Sequence, residues 1–216
     1  MGLKIALVDD HILVRNAISD LLKKNNYEVV CEAKNGRVFF DYLSQNPLPD
    51  IVLLDINMPE MDGYTTMEAI SKKYTEHKVI ALSMYDSEQS ILRMIKAGAK
   101  GYLLKESQPK ELIEAIETVY EKGFYYSEMV KDKLVKNLSA LSKKDNIKNA
   151  HLDFSPKEIE LLHHFCTDLS YKEIGAKLGI SYRTVEGYRD ELFEKTDINT
   201  RIGLILFAIK NGLVRV

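Results

Sequence analysis

The sequence predicts an α/β domain followed by an all-α domain, and three observations predict it. Short β-rich runs alternate with stretches of helical spacing over the first 125 residues. From Leu152 onward only helical patterns occur. Two capping-box signatures and a tight glycine-containing turn punctuate that second part. Strand–helix alternation builds βαβ units, which place helices on both faces of a parallel sheet. Five units in about 120 residues fit a doubly wound, flavodoxin-like sheet of five strands.

The β-rich runs are Leu3–Val8, Glu28–Cys31, Ile51–Leu54, Val79–Leu82 and Tyr102–Leu104. Between them, Val14, Ala17, Ile18, Leu21 and Leu22 share one helical face. Further helical stretches run over Val38–Leu43, Tyr64–Tyr74, Glu88–Lys96 and Lys110–Tyr120. Residues 1–125 therefore form the first domain. Tyr126–Ala140 has the pattern of a short amphipathic helix, and Ser142–Ala150 is a polar run. Together they make 126–151 a linker with a short helix.

The second domain spans 152–216. Ser155-Pro156-Lys157-Glu158 offers a hydroxyl cap, a proline in the first turn and a glutamate three residues on; Ser170-Tyr171-Lys172-Glu173 repeats the logic without proline. The second helix stops near Leu178-Gly179-Ile180, Ser181 caps a third, and a fourth runs over Thr200–Lys210 with Gly212 as its stop. Four short helices with a tight turn between the middle two describe a helix-turn-helix bundle.

Composition is that of a soluble globular chain: 45% hydrophobic and 29% charged among 216 residues. The longest apolar run of the second part, Leu204–Ile209, is far too short to span a bilayer, and no signal peptide is visible. Two cysteines, Cys31 and Cys166, give neither a disulfide framework nor a metal-ligand spacing. The expectation is a cytoplasmic protein with no membrane partner. Net charge is −2 overall; counted by segment, residues 1–125 carry 15 basic and 19 acidic side chains, 126–150 carry 6 and 3, and 151–216 carry 9 and 10.

In an open α/β sheet, functional groups lie just beyond the carboxyl ends of the strands. Asp9 and Asp10 follow the first run, Asp55 the third, Ser83 the fourth, and Tyr102 and Lys105 lie within and after the fifth. Three carboxylates on one rim repel one another, and a hard cation such as Mg²⁺ relieves that repulsion. A lysine and a hydroxyl on the same rim suit a phosphoryl group carried on a carboxylate.

With Asp55-Ile56-Asn57-Met58-Pro59-Glu60-Met61-Asp62-Gly63, residues 3–122 resemble the receiver domains of two-component systems. The resemblance implies that Asp55 accepts a phosphoryl group from a partner histidine kinase. It implies Mg²⁺ ligation by Asp10, Asp55 and the backbone carbonyl of Asn57, with Asp9 acting through water. Lys105 would pair with the phosphoryl oxygens, Ser83 would move to hydrogen-bond them, and Tyr102 would turn inward behind. Receivers often carry proline after this lysine; here it is Glu106. Aspartyl-phosphate hydrolases carry a second aspartate two residues after the nucleophile, where this chain has Asn57, a poor proton donor. The reading is a stoichiometric switch, not an enzyme.

Phe154–Val214 resembles the LuxR-type (NarL/FixJ) output domain through Leu152-Asp153-Phe154-Ser155-Pro156-Lys157-Glu158, Leu169-Ser170-Tyr171-Lys172-Glu173-Ile174-Gly175 and Leu178-Gly179-Ile180-Ser181-Tyr182-Arg183-Thr184-Val185. The resemblance implies that the third helix enters the major groove of double-stranded DNA. Val185 and Leu192 face the core by spacing, leaving Arg183, Glu186, Gly187 and Asp190 on the opposite face. Lys172, Arg183 and Thr184 are candidates for phosphates, and Tyr188 and Arg189 for phosphates or base edges. Glu186 and Asp190 stand where the family often has basic residues. Six large apolar residues in the last helix (Ile202, Leu204, Ile205, Leu206, Phe207 and Ile209) exceed one stripe, and a homodimer contact there is expected. The expected function is phosphorylation-controlled DNA binding and transcription. The alternative is a protein-interaction switch whose helical domain binds DNA weakly or not at all.

Overall fold

The structure, a computed structural model, describes residues 2–74, 76–130, 133, 154–167, 169–198 and 200–214, with only the backbone of Ile202 and Lys210. The chain divides into two compact units, 1–130 and 131–216.

In the first unit β1 (Lys4–Val8), β2 (Glu28–Ala33), β3 (Ile51–Asp55), β4 (Val79–Ser83) and β5 (Gly101–Leu104) alternate with α1 (Ile12–Lys24), α2 (Gly36–Leu43), α3 (Gly63–Lys73), α4 (Glu88–Ala97) and α5 (Pro109–Lys122). All strand pairs are parallel, in the order β2-β1-β3-β4-β5-β6. The central strands are buried on both faces, which is why they read as near-continuous apolar runs. Ile5, Leu7, Ile51, Leu53, Ile80, Leu82 and Leu103 form one core with Leu22 of α1 and Leu112, Ala115, Ile116 and Val119 of α5. The alternate residues Ala6, Val8, Val52, Leu54 and Ala81 are equally buried and point to the other face, where α2, α3 and α4 pack in series.

The sheet has six strands, not five. Gly123, with φ of 90°, ends α5 and turns the chain back so that β6 (Tyr125–Tyr126) pairs with Gly101 and Tyr102. The expected helix over 126–140 thus begins too early, because Tyr126 is strand. Two residues carry no period, so the sequence pattern could not reveal this strand. Residues 128–130 are helical; the rest of that expected helix apart from Lys133, and the expected linker, lie outside the described residues.

The second unit contains α6 (Pro156–Phe165), α7 (Tyr171–Leu178), α8 (Tyr182–Thr196) and α9 (Arg201–Lys210). Both capping boxes form: Ser155 with Glu158, and Ser170 with Glu173. Ser181 accepts from the Thr184 N–H to start α8. Gly179 (φ 67°) closes α7, and the Ile180 N–H returns to the Gly175 carbonyl at 2.9 Å. A Cβ on Gly175 would lie 2.8 Å from the Ile180 oxygen, so the tight turn of the helix-turn-helix requires glycine there. Leu161, Leu162, Phe165, Ile174, Val185, Leu192, Leu204 and Ala208 form the core.

Candidate functional site

The strand order reverses between β1 and β3, and the crevice beyond their carboxyl ends holds the acidic groups. Asp9 and Asp55 are each 2% exposed. Lys105 Nζ, its side chain 3% exposed, reaches both: 2.7 Å from Asp9 Oδ2 and 2.9 Å from Asp55 Oδ2. Backbone pairing aims it there, since its N–H donates to the Ser83 carbonyl at 2.8 Å. Asp9 Oδ1 accepts the His11 N–H at 2.8 Å, and Asp10 Oδ1 lies 2.8 Å from His11 Nδ1. Burial pushes the Asp55 carboxyl up from its ordinary value; Lys105 opposes this and the Asp9 carboxylate adds to it.

Carboxylate oxygens of Asp9, Asp10 and Asp55 and a His11 ring nitrogen all lie within 4.8 Å of one another. Among the described residues the facing oxygens share few cations: Asp9 Oδ2 and Asp55 Oδ2 meet the one Lys105 ammonium, and Asp10 Oδ1 faces only His11 Nδ1. One ammonium among three clustered carboxylates leaves negative charge in excess at a buried place, which is costly. A set of carboxylate oxygens with unused lone pairs suits a hard, oxygen-seeking divalent cation, so the residues fit Mg²⁺.

The loop after β3 is shaped by its own residues. Asn57 is exposed and its N–H approaches Asp55 Oδ1 at 3.4 Å. Glu60 adopts φ of 67°, the Gly63 N–H returns to the Ile56 carbonyl at 2.8 Å, and Asp62 caps α3 through the Thr65 N–H at 2.7 Å. A Cβ on Gly63 would lie 2.2 Å from the Asp55 oxygen. The Lys105–Glu106 peptide is trans.

Ser83 and Tyr102 meet at one residue. Ser83 Oγ accepts the Tyr85 N–H at 3.0 Å, and Tyr102 Oη donates to the Tyr85 carbonyl at 2.7 Å. Tyr102 is fully buried, and burial pushes its phenol up to about 12.

One neighbour of the acidic site carried no sequence signal. Arg15, on α1, donates from Nη1 to the Asp9 carbonyl and places Nε 3.7 Å from Glu32 Oε2. By helical spacing it was only a polar face residue.

In the second unit, Lys172, Arg183, Thr184, Gly187 and Asp190 are exposed, whereas Glu186, Tyr188 and Arg189 are half-buried. Arg189 Nε donates to Asp190 Oδ1 at 2.8 Å and Nη1 to Glu186 Oε1 at 3.4 Å. Its guanidinium also lies 5.4 Å from the Tyr171 ring centroid. Tyr188 packs against the core beneath Lys157 Nζ, 4.6 Å from its ring centroid. Thr184 Oγ1 shares a 2.8 Å hydrogen bond with the cap hydroxyl of Ser181. Asp190, Glu191 and Glu194 leave the carboxyl-terminal half of α8 acidic on its exposed side, while Arg183 and the exposed Tyr182 mark its start. Tyr182, 47% exposed, was not among the residues singled out from sequence.

Comparison with known proteins agrees with this division. The family described as "Response regulator receiver domain" matches residues 5–117, and "Bacterial regulatory proteins, luxR family" matches residues 152–208. The transcriptional regulatory protein DegU of Brevibacillus brevis is 31% identical over 99% of this chain and 96% of its own length. The oxygen regulatory protein NreC of Staphylococcus epidermidis is 31% identical over 98% of this chain and 99% of its own. Among solved structures, the response regulator ChrA of a heme-sensing two-component system is 30% identical, covers 99% of both chains and superposes with a TM-score of 0.51. Among the described residues no helix is long and apolar enough to cross a membrane.

Proposed function

The chain belongs to the response regulators that join a receiver domain to a LuxR-type output domain, and from that premise we propose that phosphorylation of Asp55 by a partner histidine kinase controls how the output domain binds double-stranded DNA. The observation that carries the reading is the buried Lys105 ammonium bridging Asp9 and Asp55, with the Asp10 carboxylate converging on the same place. An Asp55 carboxylate oxygen attacks the phosphorus of a phosphohistidine. The P–O bond forms, the P–N bond breaks, and the imidazole leaves with the electron pair and takes up a proton. Asp10, Asp55 and the Asn57 carbonyl would hold Mg²⁺, with Asp9 acting through water; when bound, the ion neutralises charge on the transferring group.

Lys105 then turns its ammonium to the phosphoryl oxygens. Ser83 releases the Tyr85 N–H to donate to the same group. Tyr85 also holds the Tyr102 hydroxyl, so movement of one hydroxyl disturbs the other. Asn57 in place of a second aspartate leaves no side-chain acid to protonate a leaving group, which favours a stoichiometric switch over a turnover enzyme.

In the output domain, Lys172 and Arg183 would contact phosphates, joined by the Thr184 hydroxyl. Tyr188 would approach the backbone from the flank of α8. Arg189 would reach DNA only by leaving Glu186 and Asp190. Contact falls on the amino-terminal half of α8 around Gly187, because exposed carboxylates further along repel phosphates. Leu206 and Ile209 on α9 are only half-buried and lie outside the core cluster, which favours a homodimer of output domains. The protein would act in the cytoplasm, where kinase and DNA are both within reach.

The test pairs two measurements. Asp55→Asn, incubated with a small-molecule phosphodonor and Mg²⁺, should carry no acid-labile phosphate; stoichiometric phosphate on that variant refutes the site. Capture of fragmented genomic DNA should enrich a two-fold-related motif, more so with a phosphoryl mimic. No enrichment even at low salt refutes DNA binding.

A further inference from the structure

We propose that Arg15 is a positioning residue for the cation site, holding the Asp9–Asp10 turn in the shape that lets its carboxylates converge. The proposal rests on reading the acidic cluster as a cation site.

Arg15 holds the main chain of the turn, not its carboxylates. Its side chain is 15% exposed, and Nη1 donates to the main-chain oxygen of Asp9. The Asp9 N–H is held from the other side by the Ala33 carbonyl of β2 at 2.9 Å. The Asp9 residue is therefore fastened at both its N–H and its C=O, while its carboxylate is left to the cluster. A chain of contacts fixes the guanidinium in turn. Glu32 of β2 places Oε2 3.7 Å from Arg15 Nε, and its other oxygen accepts from Ser19 Oγ at 3.0 Å. Ser19 is 2% exposed and lies one helical turn beyond Arg15 on α1. The network thus runs from α1 to β2 and back to the β1–α1 turn.

The physical need is clear. Three carboxylates within a few ångströms repel one another, and the turn carrying two of them is the part free to relax outward. An anchor on its backbone resists that relaxation without adding a ligand. The guanidinium donates to the Asp9 carbonyl from Nη1 while its Nε stays within ion-pair range of Glu32, a spread of charge over separate nitrogens that a lysine's single ammonium lacks.

Charge-preserving variants separate this role from simple electrostatics. Removing a cation beside the site would tighten Mg²⁺ binding through Coulomb forces alone; Arg15→Lys keeps the charge and removes the planar guanidinium that reaches the Asp9 carbonyl. Glu32→Asp keeps its charge and shortens the reach toward Arg15 and Ser19. The full chain is titrated with Mg²⁺ alone, followed by calorimetry and by backbone amide shifts of Asp9–His11. Arg15→Lys should weaken Mg²⁺ binding about tenfold, the low end for an outer-shell partner. Glu32→Asp should weaken it in the same direction and decides the matter if Arg15→Lys fails to fold. A structural role alone would lower thermal stability equally with and without Mg²⁺, whereas a positioning role shrinks the stabilisation that Mg²⁺ confers. Affinities within twofold of wild type in the folded variants overturn the proposal. Absence of Mg²⁺ binding by the wild-type protein overturns the cation-site reading beneath it.

Discussion

Replacing Arg201 by methionine should bring the output domain to the edge of unfolding and leave the receiver intact. Arg201 is 7% exposed, at the start of α9. Its Nε donates to the Phe165 carbonyl at 3.0 Å, Nη1 to Leu169 at 2.7 Å, and Nη2 to Thr167 at 2.8 Å and His164 at 3.3 Å. These acceptors lie at and beyond the end of α6, where a helix leaves its last carbonyls without partners. The cap residue there is Cys166 in a right-handed conformation, so no left-handed glycine cap closes the helix. Methionine keeps some of the apolar stem and supplies no donor. The Nε bond to Phe165 is buried, and its loss costs about 1–3 kcal/mol; the part-buried Leu169 and Thr167 carbonyls regain some water and cost roughly 0.5–1 kcal/mol each, while the His164 carbonyl keeps the Thr167 N–H and hydroxyl. The sum is about 3.5 kcal/mol, against roughly 3–10 kcal/mol for a whole domain of this size. Hydrogen exchange read peptide by peptide on the full chain reports the two units separately. Protection in α6, α7 and α8 should fall by about two to three decades, with β1, β3 and β4 unchanged. A fall of less than about tenfold would refute the reasoning.

Other perturbations have definite signs. Gly63→Ala drives a Cβ to 2.2 Å from the Asp55 oxygen and 2.7 Å from Ile56 Cα; receiver melting should drop by the equivalent of about 2–3 kcal/mol, and labelling of Asp55 should fail with it. Gly187→Ala meets nothing within 4 Å on an exposed helix, so thermal melting of the output domain should show stabilisation of about 0.5–1 kcal/mol. Glu158 is held below its ordinary value of 4.5: burial opposes this, but the Lys195 hydrogen bond and the Ser155 N–H outweigh it. Its stabilising contribution is therefore fully present above pH 4.5 and is lost as pH falls through the folded value; acid titration of output-domain stability should show this step, and Glu158→Gln should lack it.

The parts of the site legible in the sequence are those tied to a local period. Asp9, Asp10, Asp55, Ser83 and Lys105 could be placed because each follows a β-rich run, and βαβ chirality brings such ends to one edge. Ser155, Ser170 and Ser181 could be placed as caps because the partner of each lies three residues on. Arg201 could not, since its acceptors lie 32 to 37 residues upstream. Arg15 and Glu32 meet only because β2 lies beside β1, where Glu32 stands opposite Leu7. The engagement of Arg189 is subtler. Its carboxylate partners are local, but the half-buried position that sets its guanidinium against Tyr171 depends on how α7 and α8 pack.

The short strand β6 also governs where this protein can be cut and rejoined. The Tyr125 N–H donates to the Lys100 carbonyl at 2.8 Å, and Tyr126 Oη donates to the Ala99 carbonyl at 3.3 Å. A chimera spliced directly after Lys122 to graft a foreign output module would strip β5 of that neighbour and turn a finished margin into an adhesive one. A graft joined beyond Tyr126 carries its own seal, so the portable receiver is longer than its five-fold alternation of strand and helix.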